Sequence, residues 1–274
     1  MNNIKTTISR AVMLAFALIL SACSNTSSPK IPIQGYYQGY DDTSTTSGTG
    51  GGTTTQPTST TQPETKNYIG SHKPTETKKV GDIIFSDGSF ERLNEILYLS
   101  STQQSNAVAV IFYVGTSSDS LGQKTLGVSL FEAQKYWIPN ENAEGFKDVA
   151  VNESDGTVNT NAIKAKSDYN ETNYPAFYWA DTYSAKGFSS GWYLPAQKEL
   201  KELYDQKTKV NSAIKNIEVA ANYSPYATKL GDKKYWTSTR FTVYYACYRN
   251  FADGSEDAAD KAKSNLYVRA IRAF

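Results

Sequence analysis

A stretch near the N-terminus offers nothing from which a core can be built. Between Asp41 and Thr65 there is no aliphatic or aromatic side chain, and Thr, Ser, Gly, Gln and Pro dominate. Such a segment buries too little apolar surface to offset the entropy lost on ordering. We therefore predict a disordered tether over residues 23–79, which would span about 40 Å on average. The remaining residues, 80–274, are enough for one compact domain with its own core.

Residues 1–22 have the form of a signal peptide. Lys5 and Arg10 precede an apolar run from Ala11 to Leu20, which is too short to span a bilayer. The junction Leu-Ser-Ala-Cys at residues 20–23 resembles the bacterial lipobox, in which the cysteine is lipidated and becomes the new N-terminus. An ordinary signal peptide with a chance cysteine is the alternative.

Lipidation at Cys23 would make the membrane a partner through N-terminal acyl chains such as palmitate. More than one chain is needed for durable anchoring. Ser24, which follows the cysteine, resembles an outer-membrane sorting residue. We therefore expect a lipoprotein of the bacterial cell envelope, anchored in the outer membrane and exposed at the cell surface.

Charge and reactive side chains narrow the function classes. Loss of residues 1–22 removes two of the 28 basic residues and leaves 26 against 27 acidic ones, which argues against a nucleic-acid partner. Lipidation of Cys23 leaves Cys247 alone, so no intramolecular disulfide forms. His72, the only histidine, is expected before the folded region. We therefore predict no catalytic triad, no metal site, no cofactor and no enzyme activity in the domain.

Apolar patterns in residues 80–274 predict a mixed α+β domain. Continuous apolar runs predict buried strands, and spacing of three to four residues predicts helices. Leu194-Pro195 should open a helix with proline at its first position. The predicted strands are Val80–Phe85, Ala107–Val114, Thr125–Phe131 and a final strand, Leu266–Phe274, beside the first strand of the domain. The predicted helical regions are Asn161–Tyr183, interrupted at Pro175, then Leu200–Tyr204 and Val210–Ile214.

Four motifs carry a family resemblance. They are Gly191–Leu200 (GWYLPAQKEL), Tyr235–Thr239 (YWTST), Asn250–Ser255 (NFADGS) and Tyr267–Arg272 (YVRAIR). In this order they resemble the Lcl C-terminal-type domain, which is close to the fibrobacter-type major paralogous domain. The resemblance implies a C-type-lectin-like fold of the formylglycine-generating-enzyme branch, with twisted antiparallel strands and two or more packed helices. It also implies non-catalytic ligand binding, as in adhesins or in variable proteins diversified by a retroelement.

Most of the motif residues are predicted to be structural. Large apolar bodies would anchor a helix against a sheet. Glu199 would pair with Arg269 or Arg272, unless these charges are solvated at the rim. The predicted structural residues are Trp192, Leu194, Pro195, Glu199, Leu200, Tyr235, Trp236, Arg269 and Arg272.

The segment after Trp236 is the candidate binding surface, because tyrosine and arginine are typical anchors of recognition surfaces. The alternative is a strand that buries every second side chain. In the resembled variable proteins, diversification is concentrated in this portion, here Phe241–Tyr267. The candidate ligand-binding residues are Arg240, Phe241, Val243, Tyr244, Tyr245, Cys247, Arg249, Glu256, Asp257 and Lys261.

Three hypotheses of function remain. The preferred one is a surface-displayed module that binds an extracellular protein or glycan. An envelope-structural lipoprotein is the alternative. A formylglycine-generating-type enzyme is disfavoured, because that chemistry resembles copper bound by a cysteine pair, which is missing here. Asp253, Ser255, Asp257 and Asp260 could suggest calcium, but they lack a terminal bidentate glutamate and favour a solvated turn.

Overall fold

A computed structural model of the chain describes residues 66–96, 98–147, 151–218 and 226–274. All of them belong to one compact unit. The predicted signal peptide, Cys23 and the predicted tether up to residue 65 lie outside the described residues. Within the described part of the chain, no helix has the length and apolar character needed to cross a bilayer.

Five helices and two sheets make up the described residues, which confirms the mixed α+β class. The strands are β1 (Ile83–Phe85), β2 (Phe90–Glu91), β3 (Ala107–Val114), β4 (Thr125–Ser129), β5 (Ala133–Tyr136), β6 (Trp192–Tyr193), β7 (Lys234–Arg240), β8 (Tyr245–Asn250), β9 (Glu256–Asp260), β10 (Asn265–Val268) and β11 (Ile271–Ala273). The helices are α1 (Ser101–Ser105), α2 (Gly156–Lys164), α3 (Pro175–Asp181), α4 (Gln197–Asp205) and α5 (Lys207–Glu218).

The first sheet has the strand order β2-β1-β3-β4-β11-β6, and the second has the order β5-β10-β7-β8-β9. Strand β3 lies inside the first sheet and is covered on both faces. Val110 and Phe112 pack into one apolar cluster, with helices α4 and α5. Ala109 and Ile111 pack into a second cluster, with Trp192 and Trp236. Burial on both faces explains why this strand is continuously apolar rather than alternating.

The folded unit begins earlier than residue 80. His72 pairs with Phe90 through two backbone hydrogen bonds, and its ring stacks on the Phe90 ring at 5.0 Å between centroids. Gly70 N–H donates to the buried Ser89 hydroxyl at 2.8 Å. Residues 69–79 therefore pack on the first sheet instead of belonging to a tether. His72, expected outside the domain, is part of it.

The final strand is two strands, not one. Residues 265–268 form β10 in the second sheet, where they pair with β5 and β7. Residues 271–273 form β11 in the first sheet, where they pair with β4 and β6 rather than with β1. Arg269 and Ala270 carry the chain from one sheet to the other, and both are fully buried.

Arg269 stabilises this crossing, and its partner is Glu132 rather than Glu199. Its Nε lies 3.3 Å from Glu132 Oε2, and its Nη1 donates to the Ser129 carbonyl at 2.8 Å. Its Nη2 donates to the Thr228 carbonyl. A buried guanidinium with a carboxylate and two carbonyls has its charge and its donors satisfied. Arg269 is therefore a structural residue.

Arg272 does not reach Glu199 either. Its guanidinium carbon lies 5.0 Å from the Phe188 ring centroid and 5.7 Å from that of Phe274. Burial lowers its pKa below the usual value. The Arg272 guanidinium therefore makes cation–π interactions with both aromatic rings.

The other motif residues lie in the core. Trp192 donates its indole N–H to the Phe188 carbonyl at 2.9 Å, and Trp236 donates to the Lys135 carbonyl at 3.0 Å. Pro195 accepts the Ser238 N–H at 2.7 Å. Helix α4 begins at Gln197 with Ala196 as its N-cap, so Pro195 precedes the helix instead of occupying its first position. The remaining motif side chains are buried in the same two clusters: Leu194, Leu200 and Tyr235.

Glu199 is fully buried and joins three elements. One carboxylate oxygen accepts the N–H of Ala196 at 2.8 Å, at the start of α4, and the N–H of Gly156 at 2.9 Å, at the start of α2. The other accepts the hydroxyl of Tyr193 in β6 at 2.9 Å. Lys124 Nζ is 3.9 Å away. Burial raises the pKa of Glu199 to about 7, although these hydrogen bonds oppose the shift.

The Glu199 carboxyl gives the domain a defined pH dependence. Because its pKa rises from 4.5 to about 7 on folding, the folded state holds the proton more tightly. The contribution of this carboxyl to the free energy of unfolding should therefore fall by about 3 kcal/mol between pH 4.5 and 7, with no further change from this group at higher pH. Glu199→Gln should remove this slope in chemical denaturation, because the amide keeps an acceptor and carries no charge. Glu199→Ala should destabilise at every pH, since it leaves buried donors unpaired. An unchanged slope in Glu199→Gln would contradict this assignment.

Candidate functional site

The candidate surface lies at one edge of the second sheet, where β7, β8 and β9 form an antiparallel meander. Residues 241–244 connect β7 to β8. The N–H groups of Phe241 and Thr242 both donate to the Tyr245 carbonyl at 3.0 Å, and the Tyr245 N–H donates to the Thr242 hydroxyl at 3.2 Å. These bonds fix the conformation of the loop.

Large apolar side chains of this loop and the start of β8 face solvent. Phe241 is 67% exposed, Val243 38%, Tyr244 52% and Tyr245 45%. Tyr244 also contacts the buried Phe146 ring edge-on, at 6.0 Å between centroids. We call these four residues the aromatic rim. Together they place on one edge the kind of surface that soluble domains expose at interaction sites.

A surface pocket of about 210 Å³ opens beside the aromatic rim. Its lining includes four predicted residues, namely Phe241, Cys247, Glu256 and Asp257, and two that the sequence did not indicate, Gln197 and Ala258. Gln197 begins α4, so the pocket lies between the helix terminus and the edge of the sheet. No pattern near Gln197 marks it as a surface residue of this site.

Strand alternation divides the predicted residues of β8. Ala246 and Tyr248 face the second apolar cluster. Cys247 and Arg249 point to the opposite side, paired with Ala258 and Glu256 of β9. Cys247 and Arg249 are nevertheless buried, at 6% and 4% exposure. Arg249 therefore supports the surface from below instead of facing a ligand, while Cys247 forms part of the pocket wall.

Glu256 is held in place from two sides. It forms an ion pair with the Arg249 guanidinium, and its other oxygen accepts the Gln197 side-chain N–H at 2.9 Å. Arg249 in turn donates to the Gly254 carbonyl at 2.6 Å. The carboxylate is therefore charge-compensated and positioned before any ligand arrives. Prepositioned polar groups lower the entropic cost of binding.

Asp257 is less engaged. It accepts the Tyr248 hydroxyl at 3.2 Å and the Ala258 N–H at 2.8 Å. Lys234 lies over the Tyr248 ring, 4.8 Å from its centroid. The pocket thus offers the carboxylates of Glu256 and Asp257 beside the Phe241 ring. This arrangement suits a ligand that has both hydroxyl groups and an apolar surface.

Lys261 lies beneath the aromatic rim, not on the surface. It is fully buried and donates to the Phe146 and Val243 carbonyls, each at 2.9 Å. Its ammonium lies 4.8 Å from the Trp137 ring centroid. Burial lowers the pKa of Lys261 to about 7, with a further lowering from Arg240. Lys261 therefore fixes the loop from below.

Arg240 anchors the other end of the loop. It is half-buried, and its guanidinium donates to the Lys147 carbonyl at 2.5 Å. Of the ten predicted binding residues, the structure thus brings Phe241, Val243, Tyr244, Tyr245, Glu256 and Asp257 to the exposed surface. Arg240, Arg249 and Lys261 support that surface.

Cys247 has the properties of an inert thiol. Burial raises its pKa to about 11, with a smaller contribution from Glu153. The thiol therefore stays neutral at physiological pH, whereas nucleophilic and metal-binding cysteines act as thiolates. It contributes a small apolar wall to the pocket.

The aspartates considered for calcium serve their own turns. Asp253 accepts the Ser255 N–H at 2.9 Å, and Asp260 accepts the Ala262 N–H at 2.9 Å. Among the described residues, no group of three or more His, Cys, Asp or Glu side chains is placed to hold a metal ion.

No protein-family model matches the sequence, and neither does any curated protein. Among solved structures, the chain is similar to a fimbrial protein from Bacteroides ovatus ATCC 8483, with a TM-score of 0.50 and 14% identity. The alignment covers 72% of this chain and 49% of that chain, so this chain spans about half the length of the fimbrial protein. A likeness at this identity concerns the fold alone. The narrower resemblance to the Lcl C-terminal-type family stays a prediction.

Lys261→Met should loosen the aromatic rim without unfolding the domain. The methionine fills similar space, but the Phe146 and Val243 carbonyls lose their donor. We expect faster amide hydrogen exchange at residues 241–245, with little change in the first sheet. Lys263→Met is the matched control, since Lys263 is exposed two residues away. Equal exchange at residues 241–245 in both variants would show that Lys261 does not hold the loop.

Proposed function

We propose that this protein is a surface-displayed bacterial lipoprotein whose C-terminal, C-type-lectin-like domain binds an extracellular protein or glycan. One observation carries the proposal. Four exposed apolar side chains lie within residues 241–245, and one of them, Phe241, lines a preformed pocket, while a buried lysine and two arginines hold the backbone and carboxylate beside them.

The exposure of these side chains is what supports recognition. Removing apolar surface from water is worth roughly 25 cal/mol per Å², so leaving aromatic rings in solvent forgoes that stabilisation. Phe241 is the most exposed of the four and lines the pocket directly. Exposed aromatics on a rigid support give contact area at low entropic cost.

The placement at the cell surface rests on two further observations. The N-terminal 23 residues have the pattern of a lipoprotein signal and lipidation cysteine. The fold is shared with a protein described as fimbrial. Together these support an anchored, outward-facing domain with a role in adhesion or recognition.

A non-catalytic role is part of the proposal. The Cys247 thiol is neutral at physiological pH, and the pocket contains no histidine. His72 lies elsewhere, bonded to Glu76 at 3.0 Å and Glu95 at 2.8 Å. The pocket therefore contains no thiolate nucleophile and no imidazole base, and its Glu256 carboxylate is already paired with Arg249.

The retroelement hypothesis has a structural counterpart. Diversification is compatible with folding where the changed side chains are exposed and their supports are constant. Residues 241–245 and Glu256 and Asp257 are exposed, whereas Lys261, Arg249 and Trp236 are buried supports that would have to stay constant. A near-repeat of this coding segment that differs at adenines, beside a reverse-transcriptase gene, is the genomic observation that would support it.

The anchor can be tested on cells. We expect labelled palmitate to be incorporated into the protein and to be lost in Cys23→Ala. Protease added to intact cells should remove the domain. A labelled protein that intact cells protect from protease would favour the envelope-structural alternative, and no label would exclude lipidation.

The binding surface can be tested with the full chain on an array of glycans and extracellular proteins. Phe241→Ala or Tyr245→Ala should weaken binding to the captured probe by about tenfold or more, and Tyr244→Ala should weaken it too. Melting temperatures should change little. Tyr136→Ala is the matched control, because Tyr136 is 40% exposed at the opposite edge of the same sheet. Full binding by the rim variants, or equal loss in the control, would contradict the assignment.

A further inference from the structure

A second cavity, of about 410 Å³, lies away from the aromatic rim and is rich in cations. Four basic residues line it, namely Lys78, Lys79, Arg92 and Lys209, against two acidic ones, Asp82 and Glu95. The lining therefore carries a net charge of +2. The walls come from residues 78–82, residues 92–95, the end of β3 and the start of α5, and we call this cavity the basic cleft.

Two ammonium groups of the basic cleft are uncommitted. Lys79 and Lys209 are exposed, and neither makes a side-chain hydrogen bond or ion pair with the described residues. Lys209 is nevertheless positioned, because its stem lies over Gly81. A β-carbon at Gly81 would sit 3.3 Å from the Lys209 Cγ, and the positive φ of 98° there also favours glycine.

Arg92 is held loosely. Its Nη1 lies 3.4 Å from Glu95 and its Nη2 lies 3.3 Å from the Thr77 carbonyl, both long for such bonds. Its Nε is buried and has no hydrogen-bond partner. Glu95 is bonded more closely to His72, at 2.8 Å. The guanidinium therefore has unused donor capacity toward an incoming acceptor.

The acidic residues organise the cleft rather than neutralise it. Asp82 is 2% exposed and accepts the Lys79 N–H at 2.7 Å, while its own N–H donates to the Lys79 carbonyl at 3.1 Å. These two bonds fix the turn that carries Lys78 and Lys79. Lys78 donates to the Pro74 carbonyl at 2.8 Å, and burial lowers its pKa. Asp82 thus holds the basic turn in place.

We propose that the basic cleft binds the phosphate group of an anionic ligand. Inorganic phosphate and phosphate monoesters carry a charge of about −1.5 to −2 at neutral pH, which matches the net charge of the lining. Its oxygens can accept from the Arg92 guanidinium and from the two free ammonium groups. Val80, Leu93 and Val114 add apolar surface for the rest of such a ligand. This site is separate from the aromatic rim and does not depend on its function.

Calorimetric titration of the full chain with inorganic phosphate at pH 7 and low salt tests the site. We expect saturable binding that weakens with added sodium chloride, since screening acts over about 10 Å at 0.1 M. The double variant Lys79→Ala, Lys209→Ala should bind about tenfold more weakly or worse, because two charge-assisted bonds are lost. The matched control is Lys186→Ala, Lys215→Ala, which removes two exposed lysines outside the cleft.

Flotation with lipid vesicles distinguishes a phosphate in a lipid headgroup from a soluble phosphate ligand. The full chain with Cys23→Ser, which carries no acyl chains, is floated with phosphatidylglycerol or phosphatidylcholine vesicles. Retention on phosphatidylglycerol alone, lost in the Lys79, Lys209 double variant, identifies a lipid headgroup. Retention on neither kind of vesicle, together with phosphate binding in the titration, identifies a soluble phosphate ligand. Absence of phosphate binding by the unsubstituted chain, or equal loss in the control variant, overturns the proposal.

Discussion

The buried carboxylate of Glu199 is the interaction on which the arrangement of the domain depends. Its three donors come from β6, from the start of α4 and from the start of α2. Gly156 is required for this approach, because a β-carbon there would lie 2.3 Å from the Leu194 carbonyl oxygen. The carboxylate therefore fixes where α4 begins, and Gln197, which lines the pocket, follows directly. From Gln197, hydrogen bonding continues through Glu256 to Arg249, so a core interaction positions the edge of the binding surface.

Buried basic side chains support two irregular connections of this domain. Arg269 donates to two carbonyls and pairs with a carboxylate where the chain crosses between the sheets, whereas Lys261 donates to two carbonyls beneath the loop of residues 241–244. A buried charge is costly unless its partners are complete, so each of these residues permits essentially one local arrangement. The result is a rigid support with an exposed aromatic rim on it. Such a division allows the rim to change in evolution while the support stays constant.

Parts of the fold could be predicted from the sequence because the relevant forces are local. Ala107–Val114 is found as β3 with the predicted bounds, since a strand buried on both faces is apolar throughout. The prediction of a single final strand was wrong, because YVRAIR has the pattern of one extended run. Only the buried Arg269 indicates that the chain crosses there from one sheet to the other. Glu132, its partner, is 137 residues away, a separation that no sequence pattern indicates.

The domain boundary predicted at residue 80 was placed too late, since residues 69–79 are polar and are held mainly by backbone and ring contacts of Gly70 and His72. For the site, the exposed aromatics were predictable from composition, whereas the roles of Gln197 and Lys261 required the tertiary structure.

Binding and folding are assigned to different residues of the region 192–274. A saturation scan of residues 192–274, displayed on cells and sorted separately for folded expression and for binding to a captured probe, tests this assignment most directly. Substitutions at Phe241, Tyr244, Tyr245 and Asp257 should abolish binding and preserve expression, whereas those at Glu199, Trp236 and Arg269 should abolish both. If the rim positions proved essential for expression, or if binding losses were spread evenly over the exposed surface, the account would be contradicted.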